Sequence, residues 1–299
     1  MELRHIRYFI AVAEELNFTR AAAKIGIGQP PLSQQIRTLE EELGERLFRR
    51  LSRGAELTAA GRAFLPEARK MIALAQRAKQ TAQRGARGEI GRLRVGFTSS
   101  ASYCRIVPAT LRAFRSKYPE VELSLEEADT TRLLEHLTRE NIDAGFIRPG
   151  LNDPTGVRLH RLGDEAMVIV LPSRHSLAKS ARLPLSALAA ESFVLFPRDA
   201  GPPFFDEVIA ACREAGFEPI LGQEAPQISS VGNLVAAELG VALVPASIAS
   251  QVKVTGTKYV QINGDAPVAR LALAVRPGER SVIVHNFLAL VASCKTENF

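Results

Sequence analysis

The chain has 299 residues, 46% hydrophobic and 23% charged, which is too long for one ordinary domain and too apolar for disorder. No apolar run approaches the ~18–20 residues of a membrane span, and Arg4, His5, Arg7, Glu14 and Glu15 break up any export signal. The net charge of +6 lies wholly in the first 90 residues, which hold 16 basic and 10 acidic side chains, while the rest is balanced. Such an asymmetry suits nucleic acid or another anionic surface once a motif accompanies it. Cys104, Cys212 and Cys294 are odd in number and far apart, which fits a reducing cytoplasm and no disulfide framework.

Leu3, Ile6, Phe9, Ile10, Ala13 and Leu16 recur at helical spacing and predict a first helix. Asn17 caps a short second helix, Phe18–Ile25, which stops at Gly26. After a Gly-containing turn, Pro30-Pro31 open a third helix that ends at Gly44. Its core face is Leu32, Ile36, Leu39 and Leu43, and the opposite face presents Ser33, Gln34 and Arg37, with Gln29 and Pro30 at the start of the helix also expected at DNA. A polar face of this kind is a solvated surface or a reader of base edges and phosphates. The helix-turn-helix spacing and the Glu40-Glu41-Glu42 run at the far end favour reading DNA. Residues 46–57 predict a two-stranded ribbon turning at Arg53-Gly54, with Arg49, Arg50 and Arg53 along a duplex. The first 58 residues are thus a winged helix-turn-helix.

Thr58 opens a long helix to about Gln83, and residues 59–87 form the linker. Ala60, Phe64, Ala68, Met71, Leu74 or Ala75, and Ala78 make a seam with a period near 3.5, for docking on the same domain or pairing with a second copy. Pairing is favoured because two recognition helices need fixed spacing. Pro66 should kink this helix, and Gly85, Gly88 and Gly91 read as a flexible hinge.

From residue 88 strands and helices alternate, an α/β pattern. Strands are expected at Leu93–Phe97, Val121–Glu126, Ala144–Ile147, Val157–Leu162, Met167–Leu171, Phe193–Phe196, Val241–Val244 and Ala269–Val275. Helices are expected at Pro108–Tyr118, Thr130–Thr138, Pro203–Ala215, Ile228–Leu239 and Ser281–Val291. At successive strand ends stand Ser99 and Ser100, then Thr130, then Arg148, where open α/β sheets bind ligands. Singly, the hydroxyls read as helix caps and Arg148 as a partner of Asp143 or Asp153. Together they suit an anion.

Arg4-His5-Ile6-Arg7-Tyr8-Phe9, Phe18-Thr19-Arg20-Ala21-Ala22-Ala23, Gln29-Pro30-Pro31-Leu32-Ser33-Gln34-Gln35-Ile36 and Leu57-Thr58-Ala59-Ala60-Gly61 resemble the LysR-type transcriptional regulators. So, more loosely, do Asn141–Phe146 and Ala236–Pro245. The resemblance implies two Rossmann-like subdomains, similar to periplasmic binding proteins, at about 92–162 with 267–299 and at about 163–266. A ligand cleft would lie between them. It also implies a homotetramer built as a dimer of dimers. Pro202, Phe204 and Ile228 resemble pocket-lining positions in the branch that senses benzoate and muconate-type catabolites.

No cofactor, metal or catalysis is called for. The five histidines are scattered, there is no GxxxxGK loop, and Gly26-Ile27-Gly28 lacks the third glycine and preceding strand of a dinucleotide site. The expected partners are double-stranded DNA, a small effector (an aromatic or ring-opened carboxylate, or else another small polar metabolite) and further copies of the chain, with no membrane.

Overall fold

The computed structural model describes residues 1–297 and divides into two compact units, the first spanning 1–85 and the second beginning at Ala86. The first unit opens with α1 (Leu3–Glu15), α2 (Phe18–Ile25) and α3 (Gln29–Leu43). Local chemistry sets their ends. The Asn17 side chain accepts from the Arg20 amide at 3.0 Å, and Gly26 and Gly44 adopt the left-handed conformation that stops α2 and α3. The wing, β1 (Phe48–Arg50) and β2 (Ala55–Leu57), is antiparallel with Phe48 opposite Leu57. One core joins helices and wing through Phe9, Phe18, Phe48 and Leu32, with the Phe9 and Phe48 rings 5.3 Å apart. Leu43 is exposed rather than core, because it is the last residue of α3, one turn beyond the buried Leu39.

The long helix α4 (Ala59–Ala86) starts with the Gly61 amide donating to Thr58 Oγ1 at 2.9 Å and continues past Pro66. Its seam serves two purposes. Ala60, Phe64 and Ala68 join the core of the first unit, whereas Met71, Leu74 and Ala78 stay exposed.

The second unit contains β3 (Gly91–Phe97), α5 (Ser99–Ser102), α6 (Ile106–Lys117), β4 (Val121–Glu127), α7 (Thr130–Thr138) and β5 (Ala144–Ile147). Next come β6 (Arg158–Pro172), β7 (Arg182–Leu183), β8 (Ser192–Leu195), α8 (Pro202–Glu214), β9 (Ile220–Glu224) and α9 (Ile228–Ala236). It closes with β10 (Ala242–Pro245), α10 (Ala246–Gln251), β11 (Thr257–Ile262), β12 (Val268–Val275) and α11 (Val282–Glu297). Parallel β4-β3-β5 are joined by antiparallel β12 and β6, and β6 continues to β11 and β10. The two strands expected at Val157–Leu162 and Met167–Leu171 are therefore one strand, β6. Gly163 (φ +138°) and a register shift opposite Leu271/Ala272 bend it where it passes from one lobe to the other. The first lobe is centred on Phe114, Phe146 and Phe287, and the second on Phe193, Val208 and Leu243.

Leu125 is half exposed although its alternation with Val121 and Leu123 suggests a buried face, because β4 is an edge strand. The expected glycine hinge is also different. Gly85 is helical, and Gly88 is buried against α11.

Candidate DNA-binding and effector-binding sites

At about 100° per residue, α3 places Gln29 at the border, about 20° from Ile36, and turns Pro30, Ser33, Gln34 and Arg37 to one side and Leu32, Ile36 and Leu39 to the other. The latter three are buried, while Pro30, Gln34 and Arg37 are exposed and Gln29 and Ser33 partly so. Gln29 Nε2 donates to Ser33 Oγ at 2.8 Å, which orders the first turn of this face. Two of the three candidate amides of that turn are missing, since Pro30 and Pro31 carry no N–H. The helix pole is thus a weaker phosphate site than its direction suggests.

Glu40 is buried, not a surface charge. Its Oε1 accepts from the Leu47 and Phe48 amides at 2.8 and 3.1 Å, and its Oε2 from Arg46 at 2.8 Å. It fixes the wing to α3. Arg49 is paired with Glu56 across the wing, so it is less free than Arg53 at the exposed turn. The Arg50 guanidinium lies 4.9 Å above the Phe18 ring, which holds this cation against the start of α2. At the wing tip, Gly54 takes φ +96° and a Cβ there would lie 2.7 Å from the Leu16 carbonyl oxygen. Only glycine lets the wing approach α1 this closely.

In the second unit a cavity of about 330 Å³ is lined from one lobe by Thr98, Ser99, Ser100, Thr130 and Arg148, and from the other by Phe196, Phe204, Gln227 and Ile228. The strand ends explain the polar half. Thr98 caps α5 and lies with its hydroxyl 3.4 Å from Ser100 Oγ, while Thr130 opens α7, capped by Asp129. The Phe196 and Phe204 rings, 5.2 Å apart, make the apolar half. Gly201 permits this, since a Cβ there would sit 2.9 Å from the Phe196 ring.

Six of the seven sequence-predicted effector residues line this cavity; Pro202 does not. It begins α8, where the neighbouring Pro203 packs on Gly150. Thr98, Phe196 and Gln227 join them in the lining, as do the charged side chains of Glu127, Asp129 and Arg132. Thr98 belongs to the hydroxyl run Thr98–Ser102 that the sequence offers as an anion cradle after the first strand, whereas Gln227 is legible only as the residue before a helix and Phe196 only as the end of a strand.

Arg148 is the main departure from expectation. Neither Asp143 nor Asp153 is its partner: Asp143 is held by Arg94 at 2.7 Å and Asp153 by Arg161. The Arg148 guanidinium is buried and donates from Nη2 to Glu165 Oε1 at 2.5 Å, to Cys104 Sγ at 3.1 Å and to Ser100 O at 3.3 Å. Nε reaches Ser100 Oγ at 3.3 Å and Nη1 reaches Ala269 O at 3.1 Å. Most of its five N–H donors are taken, so it presents little of the forked face expected for a ligand carboxylate. Glu165 also accepts from the Ser247 amide at 2.7 Å and hydroxyl at 3.1 Å. Burial by itself would raise the Glu165 pKa, but the Arg148 charge and these hydrogen bonds outweigh it and hold the carboxyl below the usual range.

No helix of the described residues is long and apolar enough to cross a membrane.

Residues 3–62 match the model of the bacterial regulatory helix-turn-helix proteins of the lysR family, and residues 86–294 that of the LysR substrate binding domain. The HTH-type transcriptional regulator AlsR of Bacillus subtilis is 37% identical over 99% of this chain and 96% of its own length. CatR of Pseudomonas putida, another HTH-type transcriptional regulator, is 38% identical over 98% of this chain and 99% of its own. Among solved structures, full-length CbnR complexed with its target DNA superposes with a TM-score of 0.84 at 31% identity, covering 99% of this chain and all of that one.

Proposed function

This chain belongs to the LysR family of DNA-binding, ligand-responsive transcriptional regulators, and from that premise we propose that its effector is a small carboxylate, an aromatic acid or a ring-opened dicarboxylate. The observation that carries this reading is the cavity itself, with hydroxyls on one lobe facing a paired-phenylalanine wall on the other. Ser99, Ser100 and Thr130 supply hydroxyl donors, Phe204 and Ile228 the shape, and Pro202 holds the start of α8 behind them. Arg148, neutralised by its pair with Glu165, contributes a remaining Nη1 proton rather than a fork. Because donors and wall come from different lobes, binding draws the lobes together and changes DNA bending more than occupancy.

Calorimetry of the full-length protein with benzoate, other aromatic acids and cis,cis-muconate tests this. Binding of one or more, weakened in Thr130→Val and Phe204→Ala, is expected. Binding of none refutes the carboxylate class and favours another small polar metabolite.

Gln29, Pro30, Ser33, Gln34 and Arg37 read base edges and adjacent phosphates in this proposal, and Arg50 and Arg53 hold the backbone or minor groove. The domain boundaries proposed are 1–58, 59–87 and 88–299. The regulator acts in the cytoplasm as a dimer of dimers. Two features support self-association. Met71, Leu74 and Ala78 leave an apolar stripe on α4, and the edge strands β4 and β9 expose Leu125, Ile220 and Leu221.

A further inference from the structure

The chain leaves α4 at Ala86 and enters β3 at Gly91. Three glycines in seven residues suggest slack, but the second and third are clamped. Gly88 is buried with φ +67°, and a Cβ there would lie 2.9 Å from Asn286 Nδ2 and 3.1 Å from the Ile283 amide. Gly91 has φ +132°, and its Cβ would meet Ile283 Cδ1 at 2.8 Å. Asn286 Nδ2 donates to the Arg87 carbonyl at 2.9 Å. One turn of α11, Ile283 to Asn286, therefore grips the exit of the long helix, and glycine is required both for the backbone conformation and for the close approach.

The same helix is anchored in the middle and engaged at its other end. Phe287 is fully buried, its ring edge-on to Phe114 at 5.4 Å and Phe146 at 6.0 Å. Lys295 Nζ donates to the Arg161 carbonyl at 2.9 Å. Arg161 lies on β6, the strand that passes between the lobes. A single rigid element thus touches the lobe-crossing strand and the start of the effector unit.

We propose that Asn286 is a positioning residue, and that the seat it makes with Arg87 and Gly88 is the contact through which the effector domain acts on the linker helix. Displacement of β6 is carried to residues 87–91 along α11, a continuous helix with Phe287 buried at its centre. A slack hinge would absorb the displacement before it reached α4. The inference rests on the family's ligand response and is independent of the effector's chemical class.

Two measurements on the full-length protein decide it. The Arg87–Gly88 bond follows an exposed arginine, so trypsin cuts it readily if the junction is slack. The seat predicts resistance in the wild type and cleavage about tenfold faster in Asn286→Ala, the effect of one hydrogen bond's worth of local stability. Rapid wild-type cleavage at Arg87, or no difference between the two proteins, overturns the seat. Circular-permutation bending of the DNA upstream of the protein's own gene gives the second measurement, without ligand and with cis,cis-muconate. Asn286→Ala should alter the ligand-free bend angle while melting temperature and DNA affinity stay near wild type, and Gly88→Ala, strained at φ +67°, should alter it with a lower melting temperature. An unchanged bend angle in both variants overturns the coupling role. Failure of muconate to bind wild type bears only on the effector class, because the ligand-free comparison stands without it.

Discussion

Arg148 and Glu165 hold each other at 2.5 Å, and the same Glu165 carboxylate binds the Ser247 amide, so one ion pair ties the end of β5 to the lobe-crossing strand and to the start of α10. With side chains only 5% and 20% exposed, neither charge is well solvated once its partner is gone. Arg148→Ala should therefore lower stability by about 3–5 kcal/mol, the cost of an unpaired buried charge, whatever it does to ligand binding. The paired replacement Arg148→Met with Glu165→Leu should recover much of that loss. Denaturant melts of the three proteins measure it, and a single variant as stable as wild type would show that the pair is dispensable.

The same pair gives a pH signature. Glu165 is held below the ordinary carboxylate range, so its contribution to stability is complete above the unfolded value, about 4.3. It fades as pH falls through the lower folded value. The stability gap between wild type and Glu165→Gln should be widest near neutrality and shrink on acidification toward pH 3. Urea midpoints across that range provide the test, and a gap that widens in acid has the wrong sign.

Cys104 touches both members of the pair, with Sγ 3.1 Å from Arg148 Nη2 and 3.2 Å from Glu165 Oε1. Burial pushes its thiol up to about 11 despite the neighbouring arginine. At pH 8 only about one thiol in a thousand is ionised on that basis. Iodoacetamide should label Cys104 in the native protein far more slowly than in the unfolded chain, as followed by peptide mass spectrometry. Labelling at the free-cysteine rate would place the thiol in a different environment.

On DNA, Gln34→Ala should lose base discrimination by about 1–3 kcal/mol per paired contact. Arg53→Ala should weaken binding to every sequence and flatten the salt dependence. Titrations against the upstream fragment and random DNA at several salt concentrations separate the two. Equal losses on both DNAs for Gln34→Ala would remove it from base reading.

The linker helix should respond by position. Met71→Glu or Leu74→Glu puts a charge on the exposed apolar stripe, so a fragment of residues 1–87 should sediment as a folded monomer. Ala68→Glu buries a charge in the core of the first unit and should unfold it instead. Sedimentation and circular dichroism distinguish the outcomes, and a Leu74→Glu dimer of wild-type affinity would refute pairing through this stripe.

Local chemistry made the first unit readable from sequence. Its helices end where Asn17, Gly26 and Gly44 say they end, and the wing turns at Arg53-Gly54, because capping and left-handed turns depend on residues three or four apart. Periodicity likewise identified most elements of the second unit, and the residues ending β3, β5 and the loop before α7 do line one cavity. Tertiary structure decided what depends on distant partners. Arg148 is separated from Glu165 by 17 residues and by the bend at Gly163, which looks like a turn until β12 pairs along it. Leu125 is exposed because β4 has no second neighbour, and β9 and β11 escaped notice because their short runs carry no alternation strong enough to stand alone. Gly88 reads as freedom in one dimension and as close contact in three, since nothing in the chain near it announces that Ile283 and Asn286 will lie against it.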